Sequence, residues 1–285
     1  MKIGVSSYSF SKYMAETKCG YEAICDIAKE IGFDGIEFIN LKNEKWGELD
    51  DEFAIAQRIK NHCEKIGLEI IAYTVGANFL AEDVEKEMTA LKHHVDVAAA
   101  LGAPTMRHDV VYKLKDVPFY TYKTAISEIA PLVNEISDYA LEKGIKTCTE
   151  NHGYIFQSPE RVEELILAVN NPNYGWLCDM GNFLCVDAEP ARSVAVAAPY
   201  TVHVHAKDFL FKSGNEPKPE GFGITTTNGN YLRGTVVGHG VVPVKQCVNV
   251  LKKAGYNGWI SLEFEGAEDN LQALKNGFAN LKQLI

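Results

Sequence analysis

Apolar positions along this chain follow two alternating periods. Short runs are apolar at every position or every second position, as in β-strands, and longer segments repeat apolar residues every three or four positions, as in amphipathic helices. The predicted strands cover residues 2–10, 35–39, 68–75, 104–110, 145–150, 174–179, 201–206 and 258–264. The predicted helices cover residues 21–31, 50–66, 82–101, 121–143, 158–169, 189–198, 243–254 and 268–284. The chain therefore alternates strictly between eight strands and eight helices.

The junctions between these elements support the assignment. Gly32, Gly67 and Gly102 each follow a predicted helix, where glycine can adopt the left-handed conformation that ends a helix. Eight strand–helix units within 285 residues, without a linker, predict a single-domain (β/α)8 TIM barrel over residues 1–285. The segment 209–240 is too long for an ordinary connection between two elements, which indicates a lid, a substrate wall or an oligomer contact.

Composition narrows the function classes. The chain is 46% hydrophobic with a formal net charge of -10, which is typical of a globular protein and argues against a nucleic-acid partner. No apolar run is long enough for a membrane span, and the N-terminus lacks the pattern of a signal peptide. Seven cysteines without a CxxC pair indicate a reduced compartment. We therefore expect a cytoplasmic protein without a membrane partner.

Four side chains near the ends of predicted strands carry the clearest chemical signal. They are Glu150, Asp179, His205 and Glu263, separated by 29, 26 and 58 residues. The first two intervals match one strand–helix unit and the third matches two, so all four should converge at the carboxyl end of the barrel. Three carboxylates and one imidazole predict one divalent metal ion. Mn²⁺ is the first choice, and Mg²⁺, Co²⁺ and Zn²⁺ are alternatives.

The simpler interpretation is that these side chains cap helices or pair with a lysine. A glutamate inside an apolar strand needs a strong partner, and four candidates in register favour the metal. His203 and His205 face the same way, and we choose His205 because it is nearer the strand end. Glu37 on the second strand is expected to pair with a neighbouring residue rather than to bind substrate.

Four further residues are predicted to contact the substrate: His108, His152, Asn182 and Arg233. His108 ends the fourth strand and should point at the barrel mouth, although a histidine buried in the core is equally compatible with the sequence. Arg233 lies in the long segment and could bind a substrate oxygen or phosphate, although single arginines in loops are usually solvated. His239 is expected at a surface or interface, and Glu265 and Glu268 are expected to be solvated.

Several short motifs resemble one enzyme family. They are TENH (149–152), CDMGN (178–182), HVHAKD (203–208), ISLEFEG (260–266) and GHG followed by a helix ending in AGYNG (238–258). This order resembles the sugar phosphate isomerase/epimerase family of the xylose-isomerase-like TIM-barrel superfamily. That superfamily also contains ketose 3-epimerases, hydroxypyruvate isomerase, inosose dehydratase and endonuclease IV.

The resemblance implies that Glu150, Asp179, His205 and Glu263 bind the metal, and that the two glutamates also shuttle a proton. The chain departs from the family at Asn182, where the aspartate motif usually ends in histidine. It also lacks a histidine after the third strand, at residues 74–78. These departures and the acidic charge disfavour a nuclease.

The leading hypothesis is a metal-dependent isomerase or epimerase of a ketose or keto-sugar, with or without a phosphate group. Glu150 and Glu263, on opposite sides of the substrate, would remove and return a proton next to the carbonyl while the ion stabilises the enediolate. A lyase or dehydratase acting on a keto-sugar, inosose or 3-keto glycoside shares the first step and is the alternative. A catalytically inactive sugar-binding barrel is the third hypothesis. In each case the partner is a small-molecule sugar, and a homo-oligomer is left open.

Overall fold

A computed structural model describes all residues, 1–285, and contains a closed barrel of eight parallel strands. The barrel strands are β1 (Lys2–Ser6), β2 (Gly35–Ile39), β3 (Glu69–Val75), β4 (Thr105–His108), β5 (Lys146–Glu150), β6 (Tyr174–Asp179), β7 (Thr201–Ala206) and β11 (Trp259–Leu262). Their order around the barrel is β1-β11-β7-β6-β5-β4-β3-β2. The predicted (β/α)8 TIM barrel is confirmed.

Nine α-helices surround the barrel. They are α1 (Ser11–Thr17), α2 (Gly20–Ile31), α3 (Glu52–Ile66), α4 (Val84–Leu101), α5 (Tyr122–Glu142), α6 (Pro159–Val169), α7 (Pro190–Ala197), α8 (Val244–Lys253) and α9 (Asn270–Leu284). Eight correspond to predicted helices, and the short α1 is an addition. Side chains cap several starts, as where Asp51 accepts from the Phe53 amide at 3.0 Å before α3.

The strands are buried on both faces because helices cover the outside and side chains fill the inside. All six residues of β6 are buried, for example, as expected of a parallel strand in a barrel. Gly32 ends α2 with φ +114°, as the glycine pattern predicted. No helix has the length and apolar character needed to cross a membrane.

Three predicted strands are clearly shorter in the structure, the last of them β11, which covers Trp259–Leu262 instead of residues 258–264. The first, predicted over residues 2–10, ends at Ser6, and Ser7–Phe10 form a turn of 3₁₀ helix. The Ser6 hydroxyl accepts from the Tyr8 amide at 3.3 Å, a local bond that competes with continued strand pairing. The fourth strand, predicted over residues 104–110, ends at His108.

The long segment after β7 is an ordered sheet rather than a loop. The strands β8 (Asp208–Lys212), β9 (Ile224–Thr225) and β10 (Tyr231–Thr235) form an antiparallel sheet in the order β8-β10-β9. We call residues 208–235 the insertion. Its far end is tied to Asp187, whose carboxylate accepts hydrogen bonds of 2.7–2.9 Å from four groups. The donors are the hydroxyls of Thr226 and Thr227, the backbone amide of Asn228 and the side-chain amide of Asn230.

Candidate metal centre

Four side chains converge at the carboxyl end of the barrel. Glu150 ends β5, Asp179 ends β6, His205 lies near the end of β7 and Glu263 follows β11. One donor atom from each lies within 4.8 Å of the other three. The Nδ1 atom of His205 is 3.7 Å from Glu150 Oε1, 3.8 Å from Asp179 Oδ2 and 3.4 Å from Glu263 Oε2. The structure therefore gathers the four predicted ligands around one point.

A buried carboxylate behind His205 sets the direction of its ring. Glu37 Oε1 lies 2.7 Å from His205 Nε2, and Glu37 Oε2 lies 2.6 Å from His203 Nε2. The Ser261 hydroxyl donates to the same Glu37 oxygen at 3.2 Å. Because Nε2 faces Glu37, the other ring nitrogen of His205 faces the three carboxylates. This carboxylate–histidine pairing commonly supports a metal ligand.

Burial and charge act against each other at Glu37. Burial alone raises the pKa of this carboxyl, but the imidazoles of His205 and His203 outweigh that effect, and the pKa lies well below its ordinary value. Glu37 is therefore a carboxylate in the barrel interior. It pairs with its neighbours, as the sequence predicts.

Two buried atoms of the cluster that make no hydrogen bond bear on whether a cation fits there. His205 Nδ1 and Asp179 Oδ2 are buried and make no hydrogen bond, and the cation nearest to Asp179 Oδ2 is Lys207, whose Nζ lies 3.3 Å away. Burial raises the pKa of Asp179 to about 7; the Lys207 ammonium opposes this rise, and Glu150 and Glu263 add to it. A divalent cation would relieve this repulsion, and three oxygens with one imidazole nitrogen suit such an ion. The four residues therefore fit a divalent metal.

Two buried cations beside the candidate ligands are not among the residues predicted from the sequence. Lys207 Nζ lies 2.6 Å from Glu263 Oε2 and 3.3 Å from Asp179 Oδ2. Arg107 Nη2 lies 2.8 Å from Glu150 Oε2. The signal for Lys207 was available, since it is two residues beyond His205 and alternate strand residues share a face.

Asn182 contacts the cluster itself, whereas His152 lies at the cavity wall. The side-chain amide of Asn182 donates to Glu150 Oε1 at 2.9 Å and accepts from Lys207 at 3.2 Å. Asn182 is thus a direct neighbour of a candidate ligand. His152 Nδ1 lies 3.1 Å from Asp109 Oδ1, and this contact raises the pKa of His152. The exposed fraction of the His152 side chain is 51%, so its ring is open to a ligand.

A cavity of about 280 Å³ opens above the cluster. Glu150, Glu263, Arg107, Lys207 and His152 are among the residues that line it. Its walls are mainly polar, which suits a small ligand with many hydroxyl groups. We call it the first cavity.

The structure does not bring His108 to the first cavity. The His108 ring lies 5.5 Å from the ring of Phe79 and stacks on Tyr174 at 5.9 Å. Burial lowers the pKa of His108 to about 4, so its ring is neutral. The expectation that His108 points at the mouth is not met, because adjacent strand residues face opposite ways and Arg107 takes the inward position.

Arg233 also lies outside the first cavity. It is on β10 of the insertion and lines a neighbouring cavity, which shares Tyr8 and Glu265 with the first. Its guanidinium lies 5.8 Å from the centre of the Phe222 ring.

Comparisons with known proteins agree with this architecture. The chain is 26% identical over 231 residues to an inosose dehydratase of Lactiplantibacillus plantarum, covering 76% of each chain. A solved structure of a probable 3-DHS dehydratase from Bacillus anthracis superposes with a TM-score of 0.76 at 18% identity, covering 99% of each chain. A 3-keto-D-glucoside 4-epimerase from E. coli superposes with a TM-score of 0.71 at 16% identity, again covering 99% of each chain.

At those identities the two solved structures show a shared fold only. The family model described as xylose isomerase-like TIM barrel matches residues 25–284, nearly the whole chain. The protein belongs to the xylose isomerase-like TIM barrel family.

Proposed function

We propose that the protein is a divalent-metal-dependent enzyme that acts on a keto-sugar or a related polyhydroxylated ketone by removing a proton next to the carbonyl. The main support is the buried cluster in which His205 Nδ1 faces three carboxylates beneath an open polar cavity. Glu150, Asp179, His205 and Glu263 would hold the ion. When bound, it would supply Lewis-acid polarisation of the substrate carbonyl.

Glu263 is the better placed of the two glutamates to accept the proton. Its Oε2 faces His205 and Lys207, whereas its Oε1 makes no hydrogen bond or ion pair and is not sealed from the cavity. Both oxygens of Glu150 are engaged, Oε1 by Asn182 and Oε2 by Arg107. A general base needs a free oxygen within reach of the substrate, and Glu263 offers one.

Loss of water after proton removal is the outcome we propose first. The relative named inosose dehydratase matches three quarters of the chain. The chain also offers two proton donors at the cavity, the ammonium of Lys207 and the ring of His152. Either could protonate a hydroxyl group as it leaves, which is the step that separates elimination from simple proton exchange.

Epimerisation or isomerisation is the second candidate. Glu150 and Glu263 both line the first cavity, and two carboxylates can remove a proton and return it. This alternative shares the metal centre and the base with elimination, and differs only in the step after proton removal.

One experiment separates the two outcomes. The metal-loaded protein is incubated in heavy water with inososes, ketohexoses and 3-keto glucosides, and products are followed by NMR and mass spectrometry. We expect a product that has lost one water. Deuterium incorporation with the carbon skeleton and all hydroxyls retained would favour epimerisation or isomerisation instead. If protein that is shown to hold metal neither removes water from any of these ketones nor exchanges deuterium into them, the proposed chemistry is wrong.

A further inference from the structure

A second cavity adjoins the first on the side of the insertion. Its volume is about 460 Å³, and its walls come from the insertion, from the start of the chain and from the residues after β11. Tyr8 and Glu265 line both cavities. The two cavities therefore meet at these two side chains.

The cations of the two cavities differ in their partners. In the first cavity, Arg107 pairs with Asp109 and Glu150, and Lys207 pairs with Asp179 and Glu263. Both of these cations are already neutralised by carboxylates. The lining of that cavity holds more carboxylates than cationic side chains, and no cation of the protein is left there for an anionic group of a ligand.

The second cavity has two cations that form no ion pair with a carboxylate within 4.0 Å. Lys12 Nζ donates to the backbone oxygen of Gly266 at 2.6 Å and forms no ion pair. Arg233 also forms no ion pair, its Nε is buried without a partner, and its guanidinium lies 5.8 Å from the centre of the Phe222 ring. Its acidic neighbour is Glu268: burial raises the pKa of that carboxyl, and a hydrogen bond from Thr235 and the charge of Arg233 lower it. A guanidinium with unpaired donors is well suited to bind a phosphate or carboxylate.

The remaining walls leave these cations accessible. Gly221 and Gly223 line the cavity and have no side chains to cover it, whereas the side chains of Glu265 and Glu268 lie against Gly234 and Gly266. Glu265 is the single acidic residue of the lining, and Lys207 of the first cavity lies 3.8 Å from its carboxylate. The lining of the second cavity therefore carries two cations and one carboxylate, and the Glu268 carboxylate lies against its Gly266 wall.

We propose that the second cavity binds an anionic group, a phosphate or a carboxylate, at the far end of the substrate. The ketone end lies in the first cavity, and this part of the inference rests on the proposed function. The substrate class is thus a polyhydroxylated ketone with an anionic terminus, with Arg233 and Lys12 as its binding residues.

The test measures anion binding directly, without turnover. Inorganic phosphate and acetate are titrated separately into the full-length protein loaded with Mg²⁺, by isothermal calorimetry. We expect saturable binding of at least one anion, weakened about tenfold by Arg233→Gln and by Lys12→Gln, since each removes a charged hydrogen bond. Arg192→Gln is the matched control, because Arg192 is an exposed arginine on α7, and should bind as the unaltered protein does.

Binding of phosphate alone supports a phosphate ester, and binding of acetate alone supports a carboxylate. Absence of saturable binding for both anions, or equal weakening by Arg192→Gln, overturns the inference.

An Asp179→Asn variant separates this inference from the proposed function. Loss of metal in that variant with anion binding retained is the expected result. If anion binding disappears with the metal, the anion sits on the metal centre and the second cavity is not its site. Conversely, a protein that binds the anion through Arg233 but converts no ketone contradicts the proposed function and leaves the anion site standing.

Discussion

The two cavities at the carboxyl end of the barrel are built from different parts of the chain. The first is formed by the ends of barrel strands, and its candidate ligands are buried and held by further buried groups such as Glu37 and Asn182. The second is formed largely by the insertion, and its cations are partly exposed. On our proposals, proton transfer takes place on residues of the barrel, and the choice of substrate depends on the appended sheet.

The largest expected effect comes from removing a metal ligand. Asp179→Ala and His205→Ala each delete a donor from the cluster, so the protein should lose its divalent ion, about one per chain, and with it all measurable turnover. Metal content by mass spectrometry and melting temperature with added Mn²⁺ check this, because an ion that binds only the folded state stabilises it. Unchanged metal content in both variants would show that the ion, if any, binds elsewhere.

The next effect separates metal binding from proton transfer. Glu263→Gln keeps an oxygen donor but removes the base, so we expect the metal to remain while turnover falls about 10²-fold or more. Glu150→Gln is the comparison, because both Glu150 oxygens are already engaged. It should also reduce turnover, since it removes the charge that pairs with Arg107 beside the candidate ion. Near-native turnover in Glu263→Gln would exclude Glu263 as the proton acceptor.

A smaller effect is expected from the buried support of His205. Glu37→Gln removes the negative charge that lies against His205 Nε2, and metal affinity should fall roughly 10–100-fold, as for other carboxylates that support a ligating histidine. Ser261→Ala removes only a hydrogen bond to Glu37 and should change affinity far less. A competition titration with a chelator measures both. Equal affinities in the two variants would mean that Glu37 does not orient the ligand.

The second cavity should affect substrate binding more than the chemical step. Arg233→Ala removes a cation at the far end of the substrate, so KM should rise roughly tenfold with little change in kcat. Steady-state kinetics on the best ketone, with metal content measured in parallel, decide this. If KM stays unchanged, the insertion is an oligomer contact, and sedimentation should show a change in subunit number.

The smallest effect concerns the attachment of the insertion. Asp187→Ala removes the acceptor of several hydrogen bonds at its far end, so anion binding should weaken while metal content stays the same. The melting temperature should fall by a few degrees. Loss of metal in this variant would show that the two cavities are not independent.

The barrel and the four clustered side chains were predictable because their signals are local. Each strand is marked by an apolar run, and Glu150 and Asp179 stand at the last positions of two such runs. Parallel strands with regular spacing then bring their ends together, whatever the details of packing. The sequence alone thus determined the fold class and the four residues that now form the candidate metal centre.

Only the tertiary structure decided which neighbouring residues face the cavity. His108 and Arg107 are adjacent in β4, and the pattern of one strand does not say which of them points inward, because that depends on how the strand is rotated in the closed barrel. The contact of Glu37 with His205 joins residues far apart in the chain. The sheet of the insertion likewise depends on non-local pairing between β8 and β10. Local periodicity carries no signal for these contacts, because they arise only when the barrel closes and distant strands meet.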